Sequence, residues 1–163
     1  QYMQGSDSML TMTLTISSAN PIDGYFHSHP QGGLSIFSAT DLRVIYEADI
    51  KLGIKDIETF TAGVVTASGT TYLLKVDDKA AFINFGSANL KFQNDFEELE
   101  AWYLIYNIKV NNSVDIIERN FIELITQKYN TGLKLFKGDI NGFNQWNLRI
   151  CNQGSVSNSN CDN

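Results

Sequence analysis

Two runs of strand-forming residues, Thr59 to Ala67 and Thr70 to Val76, meet at Ser68-Gly69. A two-residue link containing glycine closes an antiparallel hairpin, because glycine accepts the positive φ that such turns demand. That pair commits the chain to a sheet, and the flanking segments decide which kind. Upstream, Tyr25 to His29 reads as a short strand stopped by Pro30, and Gln31-Gly32-Gly33 as a loop. Earlier still, Met9 to Ile16 alternates apolar residues with threonine, the period of a half-buried strand. Asn20-Pro21 and Asp23-Gly24 mark the turn between them.

Helical spacing fills the gaps. Ser38 to about Leu52 places Leu42, Ile45, Tyr46 and Ile50 on one side, with Gly53 as the expected stop. Asp95 to Ile108 predicts a second helix, with acids in its first turn where the helix dipole favours them. A third is capped by Asn112 or Ser113 and runs to about Tyr129, with Val114, Ile117, Phe121, Leu124 and Ile125 on one face and Gly132 ending it. Asp77 to Phe85 fits a short helix or an extended segment equally. Leu133 to Phe136 and Trp146 to Ile150 read as closing strands. The order predicts one α/β (α+β) domain over residues 1–151, a mixed sheet with helices packed on it. Residues 152–163, mostly Asn, Ser, Gly and Asp, read as a mobile tail.

Composition narrows the partners. The 163 residues are 43% hydrophobic, enough for a real core. Twelve Lys and Arg against eighteen Asp and Glu give a net charge of -6, and the basic residues are unclustered. Such a chain is a poor ligand for nucleic acid or for an anionic membrane surface. No apolar run approaches the ~18 residues of a spanning helix. Cys151 and Cys161 lack metal-ribbon or redox spacing, and a disulfide or two free thiols both fit. The start at Gln1, with no initiator Met, reads as a processed product or a part of a larger polypeptide.

The chemistry gathers in one place. Both histidines of the chain lie in His27-Ser28-His29-Pro30. Residues i and i+2 of a strand share a face, so the two imidazoles project side by side at a spacing suited to one small cation. Asp41 adds a carboxylate, and two His with one Asp leave a fourth tetrahedral position on zinc. Ser38-Ala39-Thr40-Asp41 also has the form of a helix capping box, which explains Ser38 and Asp41 with no metal at all. The two readings are compatible, since a first-turn Asp41 is able to face the histidines while Ser38 lies beside them. Elsewhere, Asp139 to Gly142 lacks the full calcium-loop spacing and reads as a turn. Gly32-Gly33 lacks the Lys-Ser/Thr of a phosphate loop.

His27-Ser28-His29-Pro30 followed by Ser38-x-x-Asp41 resembles the motif of JAB/MPN (JAMM) metalloproteases. It departs by one residue, because 31–37 make the connecting loop one longer than the family spacing. Gly33 to Ser38 and Phe60 to Thr71 are also similar to JAB-related proteins of Bacteroidetes-type bacteria. The resemblance implies an MPN-like fold, zinc held by His27, His29 and Asp41, and Ser38 supporting the oxyanion of a tetrahedral intermediate. It implies hydrolysis of amide or isopeptide bonds in a protein or peptide substrate, in the setting of a secreted bacterial effector. The loop 31–37 would line the entrance.

Family members take the general base from an upstream glutamate. Residues 1–26 hold no Glu and only Asp7 and Asp23 as carboxylates. Three expectations stand: the glutamate lies in a preceding segment of a longer protein, Asp7 or another carboxylate substitutes for it, or the domain holds metal without hydrolysing anything.

Overall fold

The computed structural model describes residues 16–139, 144–152 and 154–159. Six strands form one sheet in the order β1 (Gly24–His29), β2 (Thr61–Thr66), β3 (Thr71–Val76), β4 (Leu133–Gly138), β5 (Trp146–Asn152), β6 (Ser155–Ser159). β1 and β2 are parallel and every later pair is antiparallel. A parallel pair needs a crossover, and α1 (Ala39–Ile50) supplies it. Three further helices, α2 (Lys79–Asn89), α3 (Gln93–Ile105) and α4 (Val114–Glu123), lie between β3 and β4. The class is α+β with a mixed sheet and helices packed on it.

The β2–β3 hairpin turns at Gly69, whose φ of +81° is the left-handed value such a turn requires. Its inward side chains make the floor of the core. Ala62, Val64, Tyr72, Leu74, Leu133 and Leu135 are all at most 4% exposed. Leu42 and Ile45 of α1, Phe82 of α2 and Phe121 of α4 belong to the same core. Each such side chain contributes about 1.5–3 kcal/mol on burial. The opposite face carries the row Phe26, Gly63, Leu73, Phe136, Leu148, half-buried to exposed apart from the glycine.

Several boundaries differ from the sequence reading. The undecided segment is helix α2, because Asp78 caps it by accepting from the Ala81 N–H at 2.9 Å. Gly86 lets α2 sit against α1: a Cβ there would meet the Tyr46 ring at 2.1 Å. Gly53 is not the left-handed stop of α1. Leu52 takes that conformation, with φ 56°, while Gly53 makes room for Ile16, whose Cγ2 would lie 2.3 Å from a Cβ at 53. α3 ends at Ile105 and not Ile108, since Asn107 adopts φ 55°. α4 is capped by Ser113 and continues as a single π-helical stretch, Leu124–Lys128. Residues 155–159 are strand β6 rather than part of a mobile tail, paired to β5 from Leu148↔Ser159 to Asn152↔Ser155. The Met9 to Ile16 strand lies outside the described residues except for Ile16, as does Cys161, and with it any pairing to Cys151.

Sequence reading also left out a buried charge cluster. Glu118 of α4 is 1% exposed. It accepts hydrogen bonds from Tyr72 Oη at 2.7 Å, from Lys137 Nζ at 2.6 Å and from Arg149 Nε. Burial pushes its pKa up, but the hydrogen bonds from Lys137, Tyr72 and Arg149 outweigh burial and hold it below the ordinary glutamate value.

Candidate metal centre

The centre is assembled by three consecutive pieces of chain: β1, the loop 30–37 and the first turn of α1. Along β1, Tyr25, His27 and His29 face inward, while Gly24, Phe26 and Ser28 face out. His27 stands opposite Val64 on β2 and His29 opposite Thr66. Pro30 ends the strand. The loop then tightens through Gly33 N–H to Pro30 O at 2.9 Å and is anchored by Ile36 and Phe37, both fully buried. This path carries the Leu34 carbonyl to His29, whose Nδ1–H donates to it at 2.8 Å. In neutral His29 that bond fixes the tautomer and leaves the Nε2 lone pair available as a ligand.

The helix cap sets the carboxylate. Ser38 N–H donates to Asp41 Oδ2 at 2.6 Å, Ser38 Oγ–H donates to the same oxygen at 2.8 Å, and the Asp41 N–H returns to Ser38 Oγ at 3.2 Å. Asp41 Oδ1 takes no part in the cap and lies 3.0 Å from His27 Nε2. His29 Nε2 is 3.3 Å from Oδ2 and 3.1 Å from His27 Nε2. The capping box and the acid–imidazole cluster are one structure and not alternatives.

The donor spacing fits a small tetrahedral ion. Ligand bonds of ~2.0–2.1 Å place donor atoms about 3.3 Å apart along each tetrahedral edge. The His27 Nε2–His29 Nε2 edge of 3.1 Å is close to that, and each imidazole meets its own carboxylate oxygen, His27 Nε2 at 3.0 Å from Oδ1 and His29 Nε2 at 3.3 Å from Oδ2. Among the described residues these three form the sole His/Cys/Asp/Glu group whose donor atoms converge this way. Their side chains are 27%, 15% and 13% exposed, so the cluster is shielded yet open to solvent on one side.

Electrostatics tie the members together. Burial raises the Asp41 pKa, but hydrogen bonds from both imidazoles, the charge of His27 and the Ser38 N–H overcome it and hold Asp41 well below the usual carboxylate range. Burial lowers the His29 pKa, and its hydrogen bond to Asp41, the Asp41 charge and the Leu34 and Ile36 carbonyls outweigh that, leaving it raised. Two tyrosines missed by sequence reading lie in the field of Asp41. The hydroxyls of Tyr25 and Tyr103 are buried with no partner among the described residues. Burial first, and the Asp41 charge second, push both phenols upward. Strand alternation places Tyr25 beside His27; Tyr103 arrives from α3, with no local signal.

The remaining carboxylates near the motif are engaged elsewhere. Asp23 pairs with Lys55 at 2.6 Å, and Glu47 pairs with Arg43 and Lys51. Asp7 lies outside the described residues. Compared with known proteins, the chain matches no family model, no curated protein and no solved structure.

Proposed function

We propose that this chain is a JAMM-like zinc hydrolase of amide or isopeptide bonds, built on an MPN-like domain. The observation that carries the reading is the convergence of His27 Nε2, His29 Nε2 and the Asp41 carboxylate at 3.0 to 3.3 Å beside a Ser-x-x-Asp helix cap. Zinc held there by His27, His29 and Asp41 would supply Lewis acidity, lowering the pKa of a water toward about 7 so that it could act as a nucleophile.

The chain's own groups divide the remaining work. His29 is aimed by the Leu34 carbonyl. Asp41, held well below the usual carboxylate range, would bring a negative charge to a divalent cation. Ser38 orients Asp41; turning its hydroxyl toward a developing oxyanion would cost the 2.8 Å bond to Oδ2, so positioning is its first duty. The loop 31–37 leaves the centre directly, and its exposed and half-buried part, residues 31–34, would line the approach to it.

A second reading is a metal-holding interaction module without catalysis. It is favoured by one observation: among the described residues no further carboxylate joins the cluster to act as base. Cleavage decides between them. Zinc-loaded protein is incubated with peptides joined through a lysine ε-amide or through an ordinary α-amide. Release of the amine from either, lost in Asp41→Ala, supports the hydrolase. One bound zinc with no cleavage of either peptide supports the module.

A further inference from the structure

A cavity of about 430 Å³ is lined in part by residues that adjoin His29 in sequence and in strand register, though none of the three candidate ligands lines it. Pro30 and Gly33 line it; Pro30 follows His29 in sequence, and a Cβ at Gly33 would lie 3.3 Å from the His29 Cβ. Thr66, the register partner of His29, lines it too, as does Ala67, whose N–H donates to the His29 carbonyl. The volume is within the roughly 300–1,000 Å³ of ligand pockets.

Its chemistry is unlike that of the rest of the surface. No lining residue carries a charge, in a chain that is 18% charged. No aromatic ring lines it either, in a chain that is 12% aromatic, so there is no flat face on which a sugar ring would stack. Hydroxyls and amides dominate: Gln31, Ser35, Thr66, Ser68 and Asn112, beside Val110 and Val114. Ser35 is 8% exposed, and its buried hydroxyl has no partner among the described residues. Buried hydroxyls without partners are uncommon in folded proteins. A hydroxyl network at the hairpin turn holds this wall still: Thr66 Oγ1 lies 2.7 Å from Ser68 Oγ and 2.6 Å from Thr70 Oγ1, and Thr70 donates to the Ser35 carbonyl at 3.0 Å.

We infer that this cavity is a binding subsite for an uncharged, small-side-chain peptide segment, whose backbone amides pair with the Ser68 hydroxyl, the Gln31 amide and the Asn112 Oδ1, the Asn112 Nδ2 being held by the Asn107 carbonyl at 2.6 Å. Its role as a substrate subsite rests on the hydrolase reading; its capacity to bind does not. A charged side chain would lose hydration there with no counter-charge to replace it, which excludes acidic and basic segments.

The test is a titration of ¹⁵N-labelled, zinc-loaded full chain with a capped peptide of Ser, Ala and Gly at millimolar concentration. The amides of Gly32, Gly33, Ser68 and Asn112 should shift and saturate. A capped peptide of Asp and Lys should leave them in place. Asn112→Trp, a half-buried loop position, should raise the saturation midpoint at least about tenfold with the rest of the spectrum preserved. Asp41→Ala should keep the shifts while losing zinc. Shifts confined to other amides, an unchanged midpoint in Asn112→Trp, or a response to N-acetylglucosamine and not to the peptide would overturn the assignment. Peptide shifts in a chain that binds no zinc would strike the hydrolase reading and leave the subsite standing.

Discussion

Asp41 Oδ1 lies 3.0 Å from His27 Nε2 because the other oxygen of the same carboxylate is committed to a helix cap. The start of α1 therefore fixes the geometry of the candidate centre, and perturbing the cap perturbs the site.

Ser38→Ala separates these roles. Loss of an N-cap side chain costs about 1 kcal/mol of stability. Loss of a partner that orients a metal ligand weakens metal binding by about 10–100-fold. Urea unfolding and a zinc titration with a competing chelator should show both effects in the same protein. A cap acting alone would show only the first.

Gly86→Ala should run against helix propensity. In an open helix the change gains about 1 kcal/mol. Here the new Cβ meets the buried Tyr46 ring at 2.1 Å, so α2 has to shift away from α1. Overpacking of this kind costs about 1–3 kcal/mol, and chemical denaturation should show net destabilisation.

Leu52→Gly should stabilise. Leu52 holds φ 56° while 71% exposed, so the leucine gives up little burial and relieves a left-handed strain of about 1 kcal/mol. A rise in melting temperature is the expected result.

Glu118 governs the acid limb of stability. Its folded pKa is lowered, so the unfolded chain binds the extra proton. The stabilisation is fully present above the unfolded value of about 4.3 and is lost as pH falls through the folded value. Glu118→Gln should flatten stability against pH below about 4.3. Glu118→Ala leaves Lys137 and Arg149 without their carboxylate and should cost about 3 kcal/mol at neutral pH.

These cases also mark what the sequence carries. The inward pairing of His27 with His29 and the cap at Ser38 are written in local periodicity and local hydrogen bonding, and both were legible. The hairpin at Gly69 was legible for the same reason. Strand β6 was not, because Ser-Val-Ser-Asn-Ser has no apolar alternation and forms through backbone pairing with β5. Glu118 was not, because its partners Tyr72, Lys137 and Arg149 lie 46, 19 and 31 residues away. Leu52 displaced Gly53 from the helix stop because Ile16 packs into the space above residue 53, a contact no local pattern encodes.

The most direct measurement is the zinc content of the purified full chain alongside His27→Ala and Asp41→Ala. The account predicts one zinc per chain in the parent and loss of it in both variants. Full zinc content retained in both variants, or none in the parent under zinc-replete conditions, would contradict it.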